Sequence, residues 1–83
     1  MFIYLIATGE RRMMLTQIGP GESARIMAID GGHTLRQKLY LRGLFEGSVV
    51  RVISNNGPIT VEVNRNMISI GRRMAQKIRV VRI

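Results

Sequence analysis

Residues 35–48, LRQKLYLRGLFEGS, combine a helical spacing with the turn that ends it. Leu35 and Leu39 are four residues apart and therefore share one face of a helix, while the residues between them are polar or charged. No β-branched residue lies between Thr34 and the glycine at position 43. The spacing predicts a two-turn helix over residues 34–42.

Two glycines shape the chain after this helix. Gly43 is placed to adopt the left-handed conformation that commonly ends a helix, and Leu44 then packs back beside Leu39. Gly47 allows the chain to turn into the next strand. This passage therefore predicts a helix that turns sharply into a strand, with Leu35, Leu39 and Leu44 in the core.

Short segments with β character surround this passage, and glycines separate them at short intervals. Residues 59–63 alternate between apolar and polar, which is typical of an antiparallel strand with one solvated face, and Pro58 is suited to the position just before it. A short helical turn is expected over residues 72–77. The predicted strands are residues 23–29, 48–54, 59–63, 67–70 and 78–83. Five short strands with one helix between the first two and a helical turn before the last favour a mainly β fold, a small barrel.

The faces of these strands follow from the alternation of their side chains. In the first strand, one face is expected to hold Ala24, Ile26 and Ala28, and the other face Arg25, Met27 and Ile29. In the third strand, Ile59, Val61 and Val63 are expected to point inward. Ile78 and Val80 complete the predicted core.

The N-terminal segment allows two interpretations. Residues 2–7 are apolar but far shorter than the roughly 20 residues that a membrane-spanning helix needs. Residues 1–13 are either a translated leader before a start at Met13 or Met14, which we favour, or an extra edge strand. In both cases the folded domain is expected to cover residues 14–83.

Composition limits the chemistry that the chain can perform. The 83 residues include 13 Lys and Arg against 5 Asp and Glu, a net charge of +8, and no cysteine. Disulfides, zinc knuckles and thiol nucleophiles are therefore excluded. His33 is the only histidine, and it has neither the ligand set of a metal site nor the spacing of a catalytic triad. We expect no enzyme activity and no metal site, whereas the charge alone favours a small nucleic-acid-binding module.

The order of several motifs resembles the FeoA family over residues 14–83. The most specific is R-x-x-L-x-x-x-G-L-x-x-G, which is filled by Arg36, Leu39, Gly43, Leu44 and Gly47. Further matches are Gly21, the Gly57-Pro58-Ile59 opening, and the closing pattern of Ala75, Ile78 and Val80. One departure is Tyr40-Leu41-Arg42, where the family often has an acidic residue before the glycine, and this makes the helix surface more basic.

The resemblance implies both a fold and a role. The fold is an SH3-like β-barrel, and the motif residues that would maintain it are Gly21, Leu39, Gly43, Gly47, Pro58 and Ala75. The role is that of a cytoplasmic accessory protein of ferrous-iron uptake, without enzyme activity or cofactor, that binds the cytosolic part of the FeoB membrane transporter. The motif order makes nucleic-acid binding the alternative rather than the first choice.

Candidate partner-binding residues lie in and after the predicted helix. They are Arg36, Leu41, Arg42, Leu44 and Phe45. Leu41 and Phe45 fall outside the face formed by Leu35 and Leu39, so their exposure beside arginines would form a mixed apolar and basic patch suited to a protein partner. Leu44 is included in this set although its packing against Leu39 also places it in the core. Self-association through an exposed strand edge, with residues 2–6 as a candidate, is left open.

A run of basic residues near the C-terminal end forms a second candidate surface. It consists of Arg72, Arg73, Lys77, Arg79 and Arg82. Such a run is usually a solvated face, yet it could also meet acidic partner residues or anionic lipids.

Overall fold

The computed structural model describes residues 13–83 of the chain, so the predictions for residues 1–12 lie outside the described part. The elements agree with the predicted ones to within two residues, and a two-residue strand at Met13–Met14 is added. The strands are β1 (Met13–Met14), β2 (Ser23–Ile29), β3 (Val49–Asn55), β4 (Ile59–Val63), β5 (Asn66–Ile70) and β6 (Ile78–Arg82). The helices are α1 (His33–Leu41) and α2 (Arg72–Ala75), and a single 3₁₀ turn spans Leu15–Gln17.

All six strands belong to one antiparallel sheet in the order β1-β6-β2-β3-β4-β5. The strands β2 to β5 follow one another as a meander, and β6 returns to lie between β1 and β2. The predicted mainly β fold with short helices is confirmed. Within residues 13–83, no ladder joins β1 to β5, so closure into a complete barrel is not detected.

The core is formed by the inward residues of the strands together with Leu15, Ile18, Leu39, Leu44 and Ala75. Ile59, Val61 and Val63 are buried, as are Ile78 and Val80, as their alternation predicts. Leu35 is half-buried and packs against this core.

The predicted faces of β2 are correct only for its first half. Ala24 and Ile26 are buried, but Ile29 is buried as well, whereas Ala28 is only partly covered. The register against β6 shifts between Ile26 and Ala28, so Met27 is an extra, exposed residue. A β-bulge of this kind reverses the alternation after it, which brings Ile29 to the core side.

The end of α1 has the geometry that its sequence predicts. Gly43 has φ +90°, its N–H donates to the Tyr40 carbonyl at 2.9 Å, and the N–H of Leu44 donates to the Leu39 carbonyl at 2.9 Å. These are the two hydrogen bonds of a Schellman motif. The buried side chains of Leu39 and Leu44 provide the apolar contact that usually accompanies it.

Ser48 fixes the loop between this helix end and β3. Its hydroxyl donates to the Gly43 carbonyl at 2.9 Å and accepts from the Phe45 N–H at 3.1 Å. The loop is also joined to β2, because the Gly47 N–H donates to the Ile26 carbonyl at 2.7 Å and the Ile26 N–H donates to the Ser48 carbonyl at 2.8 Å. The loop therefore holds Phe45 in a defined position beside the helix end.

A two-residue turn connects β4 to β5. Val63 pairs with Asn66, and the residues between them, Asn64 and Arg65, have φ values of 50° and 67°. Two consecutive positive φ angles are the signature of a type I′ hairpin turn, which aligns the flanking strands with the twist of the sheet. This turn sets the register of β5, which is an edge strand of the sheet.

Asn55 connects three separate parts of the fold. Its side-chain amide donates to the carbonyls of Thr16 at 3.1 Å and Ile18 at 2.9 Å. Its carbonyl oxygen accepts from the Arg72 guanidinium at 2.6 Å, and the same guanidinium donates to the Gly57 carbonyl at 2.9 Å. Asn55 thereby ties the 3₁₀ segment, the β3–β4 hairpin and α2 together.

Candidate partner-binding surface

Three apolar side chains are exposed together where α1 ends. Tyr40, Leu41 and Phe45 have exposed fractions of 62%, 77% and 42%, and the ring centroids of Tyr40 and Phe45 lie 5.3 Å apart. We refer to these three residues as the helix-end patch. Single exposed apolar residues are ordinary, but a contiguous group of this kind is typical of interaction sites.

The expected exposure of Leu41 and Phe45 is confirmed, whereas Tyr40 was not predicted to belong to the surface. The sequence does indicate the exposure of Tyr40, since Tyr40 also lies outside the face formed by Leu35 and Leu39.

Leu44 requires a correction. Its side chain is 0% exposed because it packs against Leu39 in the Schellman motif, so it supports the patch from below and cannot contact a partner directly.

Basic residues on α1 and at its end border the patch. Arg36 lies 3.3 Å from Glu46, and both side chains are about half exposed. Lys38 and Arg42 are exposed, and no carboxylate within residues 13–83 forms an ion pair with either of them. The positive charge available to a partner is therefore carried by Lys38 and Arg42 more than by Arg36.

Two shallow hollows separate α1 from the edge of the sheet. One, of about 450 Å³, has Lys38 and Leu39 on its helical side and Ser69 and Ile70 on its strand side. The other, of about 520 Å³, has Tyr40 and Phe45 on one side and Asn64, Asn66 and Ile68 on the other. Leu41 and Arg42 line both hollows. We refer to the two hollows together as the α1–β5 trough.

The C-terminal basic run is less uniform than its sequence indicates. Arg79 lies 2.7 Å from Asp30, Arg82 lies 3.6 Å from Glu22, and Arg72 is held by Asn55 and Gly57. Three of its five members therefore have intramolecular partners. Arg73 and Lys77 are exposed and have no ion-pair partner within the described residues.

The described residues offer little to catalysis or metal binding. Residues 13–83 contain no group of three or more His, Cys, Asp or Glu side chains able to hold a metal ion. His33 is exposed at the first position of α1. Every buried side-chain nitrogen or oxygen in this part of the chain has a hydrogen-bond partner, so none is left directed at a ligand.

None of the described helices is long and apolar enough to cross a membrane.

Comparison with known proteins identifies the family. A family model described as the FeoA domain matches residues 13–82, which is nearly the whole of the described chain. The chain belongs to the FeoA family. The resemblance stated from the sequence motifs is thereby confirmed.

Individual relatives agree with this membership. A protein of Methanocaldococcus jannaschii, provisionally assigned as Fe(2+) transport protein A, is 39% identical over 61 residues, which is 72% of this chain and 74% of the relative. A crystal structure of an iron uptake regulatory protein, FeoA, matches with 32% identity and a TM-score of 0.83, covering 88% of this chain and all of the other. The SH3-like FeoA fold is therefore confirmed.

The same fold also occurs inside larger proteins. The crystal structure of IdeR from T. acidophilum matches with 26% identity and a TM-score of 0.81, covering 87% of this chain but only 34% of IdeR. A fold shared between a stand-alone protein and part of a longer one indicates scaffold rather than activity.

Proposed function

We propose that this protein acts in ferrous-iron uptake as a non-enzymatic accessory protein that binds and modulates the cytosolic part of a FeoB-type membrane transporter. The observation that supports this role most strongly is the match to the FeoA domain over residues 13–82. The relatives named as Fe(2+) transport protein A and FeoA point to the same process. On this proposal the protein works in the cytoplasm, beside the membrane that holds its partner.

The surface proposed for this contact is the helix-end patch with its basic border. Leu41 and Phe45 supply exposed apolar area, and Arg36 and Arg42 flank them. Apolar residues at the centre of an interface provide most of its affinity, while charges at the rim mainly guide the approach and fix the orientation. Ser48 and the Schellman motif hold the patch rigid, which lowers the entropy lost on binding.

Binding to the purified transporter tests the proposal. The full chain is expected to bind the detergent-solubilised FeoB transporter of the same organism, and Leu41→Glu is expected to weaken that binding by at least about tenfold, as a hot-spot residue would. Met27→Glu is the matched control, because Met27 is an exposed apolar residue on the bulge of β2. The proposal is wrong if the wild-type chain does not bind the transporter.

Nucleic-acid binding is the competing function, and the same preparation tests it. The net charge of +8 favours contacts with phosphate, whose affinity falls steeply as salt is raised. Submicromolar binding of RNA or DNA at physiological salt, together with no binding of the transporter, would replace the proposed role by this alternative.

A further inference from the structure

The outer edge of β5 presents backbone groups that have no partner in the sheet. The register Val63 to Asn66 closes the β4–β5 hairpin, so hydrogen-bonded and non-hydrogen-bonded pairs alternate from there. Met67 and Ser69 fall in the non-hydrogen-bonded pairs, and their N–H and C=O groups therefore point away from β4. No other strand within residues 13–83 pairs with this side of β5.

Edge strands are usually protected against pairing with other chains, and β5 lacks three of the common protections. Charged side chains, prolines and bulges serve this purpose in natural sheets. The sequence of β5, NMISI, has no charge and no proline, and its ladder to β4 has no register shift. Both Met67 and Ser69 are exposed. The element beside this edge is α1, which the α1–β5 trough separates from it, so an added strand would lie in that trough.

The α1–β5 trough runs along this edge. Its strand wall extends from Asn66 to Gly71, and the five residues of β5 within it span about 17 Å. An extended peptide lying in the trough would therefore meet backbone donors and acceptors on one side and the side chains of α1 on the other. Recognition of this kind, in which backbone hydrogen bonds give affinity and alternate side chains give specificity, is β-strand addition.

The charges along the trough select the occupant. Lys38 and Arg42 line it, and among the described residues that form its walls there is no Asp or Glu. Leu41 between them supplies an apolar contact. An occupant complements these walls when the side chains that it turns toward α1, at every second position, include both acidic and apolar residues. A second copy of this chain is a poorer occupant, because two chains that each carry a net charge of +8 repel each other.

We propose that β5 binds an extended acidic segment of the partner by β-strand addition, with Lys38 and Arg42 facing its carboxylates and Leu41 its apolar side chains. This inference rests on the proposed function for the identity of the partner. It adds the binding mode and the chemical class of the segment that is recognised. The helix-end patch then forms one wall of an elongated site rather than an isolated docking point.

Overlapping synthetic peptides that cover the cytosolic region of the FeoB transporter, titrated against the full chain, test the charge requirement. Binding is expected from peptides that carry both acidic and apolar residues at alternate positions, so that both kinds lie on one face of the extended chain. Arg42→Glu is expected to weaken it by at least about tenfold, whereas Arg25→Glu, the same change on an exposed residue of β2, is expected to alter it by less than about twofold. Equal loss in both variants, or equal binding of peptides without acidic residues, would overturn the proposal.

Amide hydrogen exchange tests the backbone requirement in the wild-type protein. The Met67 and Ser69 amides are expected to exchange fast in the free chain and at least about tenfold more slowly with the peptide bound. Ser69→Pro removes one outward N–H without removing a bond to β4, and it is expected to abolish peptide binding. Fast exchange in the complex would refute strand addition, and protection that rises with protein concentration alone would assign the edge to self-association.

The two proposals fail in different ways. If the intact transporter binds the wild-type chain, Arg42→Glu and Ser69→Pro equally well, strand addition at β5 is wrong and the proposed function stands. If the wild-type chain does not bind the transporter at all, the proposed function itself is wrong.

Discussion

Replacing Gly43 with alanine tests whether the left-handed end of α1 stabilises the fold. The Cβ of alanine would lie 3.6 Å from the Asn64 side-chain nitrogen, which is ordinary van der Waals contact, so the substitution introduces no clash. What remains is the backbone cost of holding a non-glycine residue at φ +90°. That cost is about 1–2 kcal/mol. The lower conformational entropy of the unfolded alanine chain offsets about 0.4–1 kcal/mol of it.

The expected loss is therefore about 1 kcal/mol in the free energy of unfolding, or a fall in Tm of about 4–8 °C for a domain of this size. Urea denaturation followed by circular dichroism measures it, with a lower midpoint and an unchanged m value. Gly43→Asn should lose less, because asparagine tolerates the left-handed region better than alanine does. If Gly43→Ala unfolded at the same urea concentration as the wild type, the role assigned to the positive φ would be wrong.

Three further predictions concern stability and can be measured with the same denaturation assay. Arg65→Gly should stabilise the chain by about 0.5–1 kcal/mol, because Arg65 occupies the second left-handed position of the β4–β5 turn, where glycine is favoured; Arg65→Ala should not. Asn55→Ala should cost about 2 kcal/mol, since it leaves the carbonyls of Thr16 and Ile18 without their donor, and a loss below about 0.5 kcal/mol would contradict that role. Leu44→Ala should lower the free energy of unfolding by about 3 kcal/mol because Leu44 is fully buried, whereas Leu41→Ala should change it very little because Leu41 is exposed. Equal losses in the two variants would contradict the placement of Leu44 in the core and Leu41 on the surface.

The parts of the fold that could be predicted from the sequence are those determined by neighbouring residues. The end of α1 depends on Gly43 and on the spacing of Leu39 and Leu44, all within six positions, so the motif carries its own geometry. The alternation of β4 is similarly local, because each side chain of Ile59–Val63 is placed by the pleat alone.

The errors come from contacts between distant parts of the chain. The bulge at Met27 exists because β2 must match β6, and nothing within residues 23–29 indicates where that match slips. The ion pairs of Arg79 and Arg82 are set by residues more than forty positions earlier, so the C-terminal run appeared more uniform in sequence than it is.

The candidate surface likewise has some features that follow from neighbouring residues and others that depend on distant parts of the chain. The exposure of Leu41 and Phe45 follows from their angle to the buried face of α1, and it was predicted. The burial of Leu44 also follows locally, from its packing against Leu39 at the helix end, and this burial excludes direct contact with a partner. The edge of β5 could not be foreseen, because an edge is defined by which strands are missing beside it, and that depends on the order of the whole sheet.

The position of β6 between β1 and β2 has a consequence for synthesis of the protein. The meander β2 to β5 contains only sequence-adjacent pairings and can begin to form as soon as it leaves the ribosome. The ladder on the other side of β2 cannot form until residues 78–82 have also emerged. Until then a nascent chain displays the unpaired side of β2, and a chain held at that stage would be prone to aggregation.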